Sequence, residues 1–275
     1  MLQKLAAHDL PFKTPVPIVT FTGDTVVHLE DGKGKFACMF SYIEGDSPAE
    51  LDSGFYPSFG EAAGILSAVL AETDPGLPPV YRPYYGLETS YPLCSREAVN
   101  GLYANPPEIL QALVPELKVL VEAYVNIADS LDELKELPHQ LVHGDLNPSN
   151  LLVDTGNAAQ VAALLDFEFC TYDVRAMEPA VILSGMLGHG EEQRIIRGFW
   201  REFSRRVTLS HAEIQSIPLL MLLRKVDVFL HFLTRYWEGT DEGEVLQEQV
   251  KLLAADVALL SGGIAGLEEI LLSGY

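Results

Sequence analysis

Apolar residues recur at threes and fours along several long stretches of this chain, and at that spacing they line one face of a helix. Phe59, Ala62, Ala63, Leu66 and Val69/Leu70 predict a helix over 57–70. Leu110, Leu113, Leu117, Leu120, Tyr124, Ile127, Leu131 and Leu134 predict a longer one over 106–137, stopped by Pro138. Three more follow over 191–206, 214–236 and 244–260. The opening stretch 1–9 reads as the end of a helix, closed by Pro11. Short alternating or continuous apolar runs predict strands at 18–22, 25–29 and 35–43, with a hairpin turn at Asp31-Gly32-Lys33-Gly34. Residues 73–91 are rich in Pro, Gly and Tyr and read as a long loop that either closes over an acceptor or packs its aromatics on the lobe surface.

The pattern is densest in the middle. Leu141 and Val142 form a short apolar run that breaks at His143-Gly144-Asp145. Asn150 opens a second run, Leu151-Leu152-Val153. Asp154-Thr155-Gly156-Asn157 is turn chemistry, and a third run over 161–165 ends in Asp166. A hairpin with Asn150 at its entrance and Asp166 at its exit brings both side chains to one end, with Asp145 on the loop just before. Two carboxylates and an amide at one rim make an oxygen-rich site suited to Mg²⁺, a hard cation that keeps several waters. Phosphoryl transfer needs such a site: one Asp accepts the substrate hydroxyl proton while an Asn and a second Asp hold the metal.

His143-Gly144-Asp145-x-x-x-x-Asn150 followed by Asp166-Phe167-Glu168 resembles the catalytic and metal loops of the aminoglycoside phosphotransferase, choline kinase and homoserine kinase superfamily. These are small-molecule kinases of protein-kinase-like fold, and the motifs parallel the His-Arg-Asp and Asp-Phe-Gly signatures of protein kinases. The resemblance implies an α+β, two-lobe fold with a mainly helical C-terminal lobe. It implies ATP as co-substrate and Mg²⁺ as cofactor. Asp145 is then the catalytic base, Asn150 and Asp166 the metal ligands, and His143 a loop-bracing residue. Phe40, Ser41, Tyr42 and Ile43 fall where the family's hinge holds the adenine edge with backbone groups. Glu178 takes the place of an Asp that braces the catalytic loop in many relatives. Arg175 is expected to pair with Glu178 or with an acceptor. Arg224, Asp227, His231 and Arg235 share one helix face that lines the acceptor cleft in relatives.

Such kinases usually begin with a strand, a Gly-containing phosphate loop and a Lys that meets the ATP phosphates. The sequence opens on what resembles the last turn of the following helix. The expected division is a remnant of the N-terminal β lobe over 1–43 and a helical catalytic lobe over 44–275. Gly32-x-Gly34, with Lys33 and Lys35, reads as a solvated turn and not as a substitute phosphate loop. Two functions are therefore in view. One is an ATP- and Mg²⁺-dependent kinase of a small-molecule hydroxyl, with a homoserine-like or choline-like acceptor. The other is a non-catalytic or very slow kinase-like binding protein. A shortened sheet leaves an unpaired edge, which invites homodimerisation.

Composition changes this picture in two ways. A net charge of −21 over 275 residues argues against nucleic acid and anionic membranes as partners, since both reward basic surfaces. It also requires a nucleotide site to build its own local positive field. Cys38, Cys94 and Cys170 are odd in number and in no metal spacing, as expected of reduced cytoplasmic thiols. Residues 1–10 have no apolar signal core. The most apolar late stretch is interrupted by Arg224, Lys225, Asp227 and His231, so no membrane span is expected.

Overall fold

A computed structural model describes residues 1–30, 32–49, 53–188, 190–263 and 266–273. In chain order the elements begin with α1 (Leu2–Leu5), β1 (Val27–His28), β2 (Phe36–Ala37), α2 (Tyr56–Glu72), α3 (Leu87–Ser90) and α4 (Arg96–Gly101). The middle of the chain holds α5 (Val114–Leu134), β3 (His139–Val142), β4 (Leu151–Asp154), β5 (Asn157–Leu164) and β6 (Thr171–Val174). Five helices close it: α6 (Met177–Ser184), α7 (Glu192–Ser204), α8 (His211–Trp237), α9 (Gly243–Ser261) and α10 (Leu267–Leu272).

The expected helices are present, with one break. The long helix expected over 106–137 is a 3₁₀ segment, Glu108–Leu113, followed by α5. Pro115 sits in the first turn of α5; it has no N–H to give the preceding turn, and its ring fits only near a helix start. α8 begins with a capping box. Ser210 Oγ accepts from Glu213 N at 3.3 Å, and Glu213 returns a carboxylate oxygen to Ser210 N at 2.8 Å.

Helix packing supplies the core. Phe59 of α2 meets Phe199 of α7 edge-on at 5.8 Å, and Phe199 stacks on Phe203 at 5.7 Å. Trp200, also buried, donates its indole N–H to Leu271 O at 2.7 Å and so ties α10 to α7. Each such fully buried apolar side chain contributes about 1.5–3 kcal/mol.

The strands form three two-stranded antiparallel sheets: β1 with β2, β3 with β6, and β4 with β5. The β4–β5 hairpin is flanked by extended chain on both edges. Asp46 and Val153 exchange both backbone bonds at 3.0 and 2.8 Å on the β4 side. Lys13 bonds Ala162 O and Leu164 N on the β5 side at 2.8 and 3.0 Å. The N-terminal segment thus clamps the hairpin whose lower end carries Asn150 and Asp166.

The N-terminal strands are much shorter than the pattern predicts. Only Val27–His28 and Phe36–Ala37 form a ladder, and Pro17 and Phe40 add a single bridge. At 18–22 the chain folds on itself instead: Thr20 Oγ1 accepts from Thr22 N and Asp24 N at 3.2 and 3.1 Å. Such local side-chain bonds compete with a ladder. The apolar side chains Val19, Phe21 and Phe36 are exposed, so no packed face rewards longer strands. The β1–β2 connection carries the expected hairpin, with Gly32 and Gly34 both at positive φ; Asp31 lies outside the described residues. No helix among the described residues is long and apolar enough to cross a membrane.

Candidate active site

The site is built where β3 ends. Val142 delivers a fully buried His143, whose ring bridges two backbone segments. Its Nδ1 accepts from Asp145 N at 3.3 Å, and its Nε2 donates to Leu165 O at 2.9 Å. Both bonds are satisfied by the neutral ring, and burial lowers the His143 pKa in the same sense. The ring also lies 4.5 Å from that of Phe167. The residue two before Asp145 and the residue after Asp166 are thus packed on one another.

Glu178 closes the loop from below. It is fully buried at the start of α6 and accepts from His143 N at 2.5 Å, while its second oxygen has no hydrogen-bond partner among the described residues. Burial pushes its pKa up to about 7. Gly144 sits at φ +81°, where an added Cβ would also come within 3.1 Å of Phe169 O. That left-handed turn swings the chain so that Asp145 faces out of the strand.

Asp145 is held on both carboxylate oxygens. Asn150 Nδ2 donates to Oδ2 at 3.0 Å and to the Asp145 backbone oxygen at 2.8 Å. Arg224, reaching over from α8, pairs with Oδ1. Asp166 follows β5 and its carboxylate is exposed; it is the one non-glycine residue at positive φ among the described residues, with φ 60° and ψ 65°. Leu165 N donates to Asn150 O at 2.8 Å, so Asn150 and Asp166 leave the same end of the hairpin, as the spacing predicts.

Above Asp145 opens a cleft of about 870 Å³, walled by the 80–91 loop and α8. Arg224, Asp227, His231 and Arg235 all line it. Asp227 accepts from Tyr91 OH at 2.8 Å, and burial pushes its pKa up to about 6. Arg235 is engaged by Asp241, with Nε and Nη2 each 2.6 Å from a carboxylate oxygen.

Arg175 is not part of the cleft. Its guanidinium grips Glu213 at 2.5 and 2.8 Å, and Glu178, three residues on in sequence, faces the other way toward His143. Glu213 already needs a partner because it is buried in the α8 cap; burial works to raise its pKa, but Arg175 and Ser210 bring it below the usual value. Phe40 and Tyr42 are exposed, and Ser41 N donates to Val16 O at 3.0 Å. The 40–43 segment runs into Asp46, beside β4.

Two participants escape the sequence reading. Tyr84 donates its hydroxyl to Gly144 O at 2.6 Å and accepts from Arg224 Nη1 at 2.6 Å. Its own N–H goes to Asp173 Oδ2 at 2.6 Å. Asp173 is fully buried on β6, and burial pushes its pKa up to about 7. The available signals were an acidic residue on the inward face of a strand and a cluster of tyrosines in a long loop. Neither signal names its partner.

Residues 1–213 match the model of the phosphotransferase enzyme family. Among solved structures, a microcompartment-associated aminopropanol kinase superposes with a TM-score of 0.70 at 18% identity, covering 100% of this chain and 81% of that one. An amicoumacin kinase in complex with AMP-PNP and Ca²⁺ gives 0.65 at 15% identity, over 92% and 75%. An aminoglycoside phosphotransferase from Alicyclobacillus acidocaldarius gives 0.64 at 15% identity, over 99% and 82%. At these identities the likeness is one of fold, and the fold is the α+β, kinase-like one expected from the motifs. No curated protein sequence matches this one.

Proposed function

Because this chain belongs to the phosphotransferase enzyme family, we propose that it transfers the γ-phosphoryl group of ATP to a hydroxyl of a small molecule, with Mg²⁺ as cofactor. The observation that carries the reading is Asp145. Its carboxylate lies at the floor of an open cleft, fixed by Asn150 from the hairpin side.

The residues present fit a hard divalent cation. Asn150 spends its amide hydrogens on Asp145, which leaves Oδ1 as an acceptor reached, among the described residues, only by Ser149 Oγ at 3.4 Å. The Asp166 carboxylate is exposed and has no ion pair among the described residues. One amide oxygen and one carboxylate are suitable donors for Mg²⁺, which commonly completes its shell with water and nucleotide phosphates. When bound, the ion would neutralise phosphate charge.

The chain's own groups do the rest. Asp145 orients the acceptor hydroxyl and takes its proton as the oxygen attacks the γ-phosphorus; the bond to the β-phosphate oxygen breaks and ADP leaves with the bonding pair. His143 and Glu178 keep the loop from shifting by bonding its backbone. Backbone groups of Phe40, Ser41, Tyr42 and Ile43 other than the Ser41 N–H hold the adenine edge; this placement draws support from Asp46, which pairs with Val153 of β4, the strand that Asn150 opens.

Replacing Asp145 by Asn keeps the shape and removes the base. ADP release in the presence of an acceptor is expected to fall by about 10²–10⁴-fold in Asp145→Asn, the usual contribution of a general base. Equal rates for the two proteins in a coupled ADP assay would remove Asp145 from the mechanism.

A further inference from the structure

Resting on that reading, we propose that Arg224 selects the acceptor: the alcohol carries an oxyanionic group, carboxylate or phosphate, close to its reactive hydroxyl. Arg224 moves from Asp145 to that group and thereby uncovers the base.

Both carboxylate oxygens of Asp145 are taken, one by the Asn150 amide and one by the Arg224 guanidinium. The Asn150 bond comes from the hairpin side and leaves the cleft side open. The guanidinium occupies the cleft side, where an acceptor hydroxyl must approach. An acceptor therefore has to displace it.

Displacement is costly for most molecules. Arg224 and Asp145 are 21% and 15% exposed at their side chains, so the pair is largely out of water. Separating a buried pair leaves an uncompensated charge. Arg224's other neighbours do not replace the lost partner. Tyr84 is a neutral phenol whose pKa burial raises further, and it offers Arg224 a hydroxyl and a ring face 5.7 Å away. Asp227 Oδ2 stands at 4.0 Å, beyond hydrogen-bond distance, while Oδ1 is held by Tyr91. A neutral or cationic alcohol would leave Arg224 with only the Asp227 carboxylate at 4.0 Å in place of its direct bond to Asp145. An oxyanion supplies one, and the planar fork of a guanidinium fits carboxylate and phosphate alike.

The rest of the cleft agrees. Arg82 also lines it and has no ion pair among the described residues, although the chain as a whole carries −21. His231 lines the same wall. Of the other acidic residues in the lining, Glu168 and Glu238 are exposed, and Asp227 is held by Tyr91.

The test uses the full chain, ATP and Mg²⁺, with acceptors matched in skeleton and different in charge. 4-Hydroxybutyrate is set against 4-hydroxybutyramide, glycerol 3-phosphate against glycerol, and ethanolamine represents the cations. The expected result is that at least one anion exceeds its neutral counterpart in kcat/KM by about tenfold or more, the value of one charge-assisted contact. The two anionic arms distinguish carboxylate from phosphate. In Arg224→Gln the anion-to-neutral ratio of kcat/KM should collapse toward one, because the anion loses its partner while the neutral alcohols no longer have to displace the guanidinium, and Arg224→Lys should recover part of the ratio. Preference for ethanolamine or the neutral alcohols, or an equal loss on all acceptors in Arg224→Gln, overturns this inference and leaves the phosphotransferase reading standing. No ADP release with any acceptor overturns both. The wild-type preference is decisive by itself should the variants fail to fold, which a thermal melt reports.

Discussion

Asp166 stands on a backbone with φ 60° and ψ 65°, a conformation that glycine adopts freely and aspartate adopts at a cost. The cost is tolerated at the point where a carboxylate must turn out of β5 beside Asn150. Asp166→Gly should therefore be as stable as the parent or gain up to about 1 kcal/mol in denaturant melts. The same variant should lose metal-dependent ATP binding by calorimetry. A large loss of stability would show that the carboxylate is a structural brace instead. Asp145, Asn150 and Asp166 were legible one residue at a time because turn and strand spacing alone places them at one rim. Arg175 has the structural role favoured for it but a different partner, for a local reason. Glu178 is close in sequence, but α6 turns it inward under His143, while Arg175 points toward the cap of α8.

At the level of elements, the helices were legible because burial of one face imposes a period that survives in the sequence. How closely two of them approach was not. Gly60 of α2 lies against the backbone of α7, and a Cβ there would come to 2.1 Å from Phe199 O. No rotamer relieves a clash with backbone, so α2 and α7 would have to separate. Gly60→Ala is expected to cost about 2–3 kcal/mol, seen as a drop of roughly 4–10 °C in melting temperature. Gly101→Ala in α4 is the control. Nothing lies within 4 Å of its added Cβ, and it should be neutral or slightly stabilising. The N-terminal strands were overpredicted because alternation marks a strand only when one face is buried, and here Phe21 and Phe36 remain in water.

Across the whole molecule, three buried carboxyls lie around the 143–150 loop and the cleft above it. Asp173 and Glu178 are pushed up to about 7 and Asp227 to about 6, each chiefly by burial, from ordinary values of 3.8, 4.5 and 3.8. In the range between those values and 7 the folded chain binds more protons than the unfolded one. Stability is then fully present below pH about 4, and it falls as pH rises through 6 to 7. The protein should melt at a higher temperature at pH 5 than at pH 8, by on the order of 2 kcal/mol in stability. Repulsion within a chain of net charge −21 acts in the same direction. Glu178→Gln, which keeps an acceptor for His143 N and carries no charge, should flatten the dependence. A pH profile that rises from 5 to 8 would contradict the assignment of these groups as buried acids.

The sequence by itself determined the long helices, the central hairpin and the placement of Asp145, Asn150 and Asp166 at one rim. These depend on periodicity and on neighbours within a couple of turns, and such relations are written in spacing. Tertiary structure alone decided what faces Asp145. Arg224 lies 79 positions from Asp145, and Tyr84 lies 60 from Gly144 and 89 from Asp173. Charges attract any opposite charge, and this chain offers 39 acidic residues to 18 Lys and Arg. Which of them meet in the cleft is set by the packing of α8 and the 80–91 loop over β3, where burial makes each pairing exclusive.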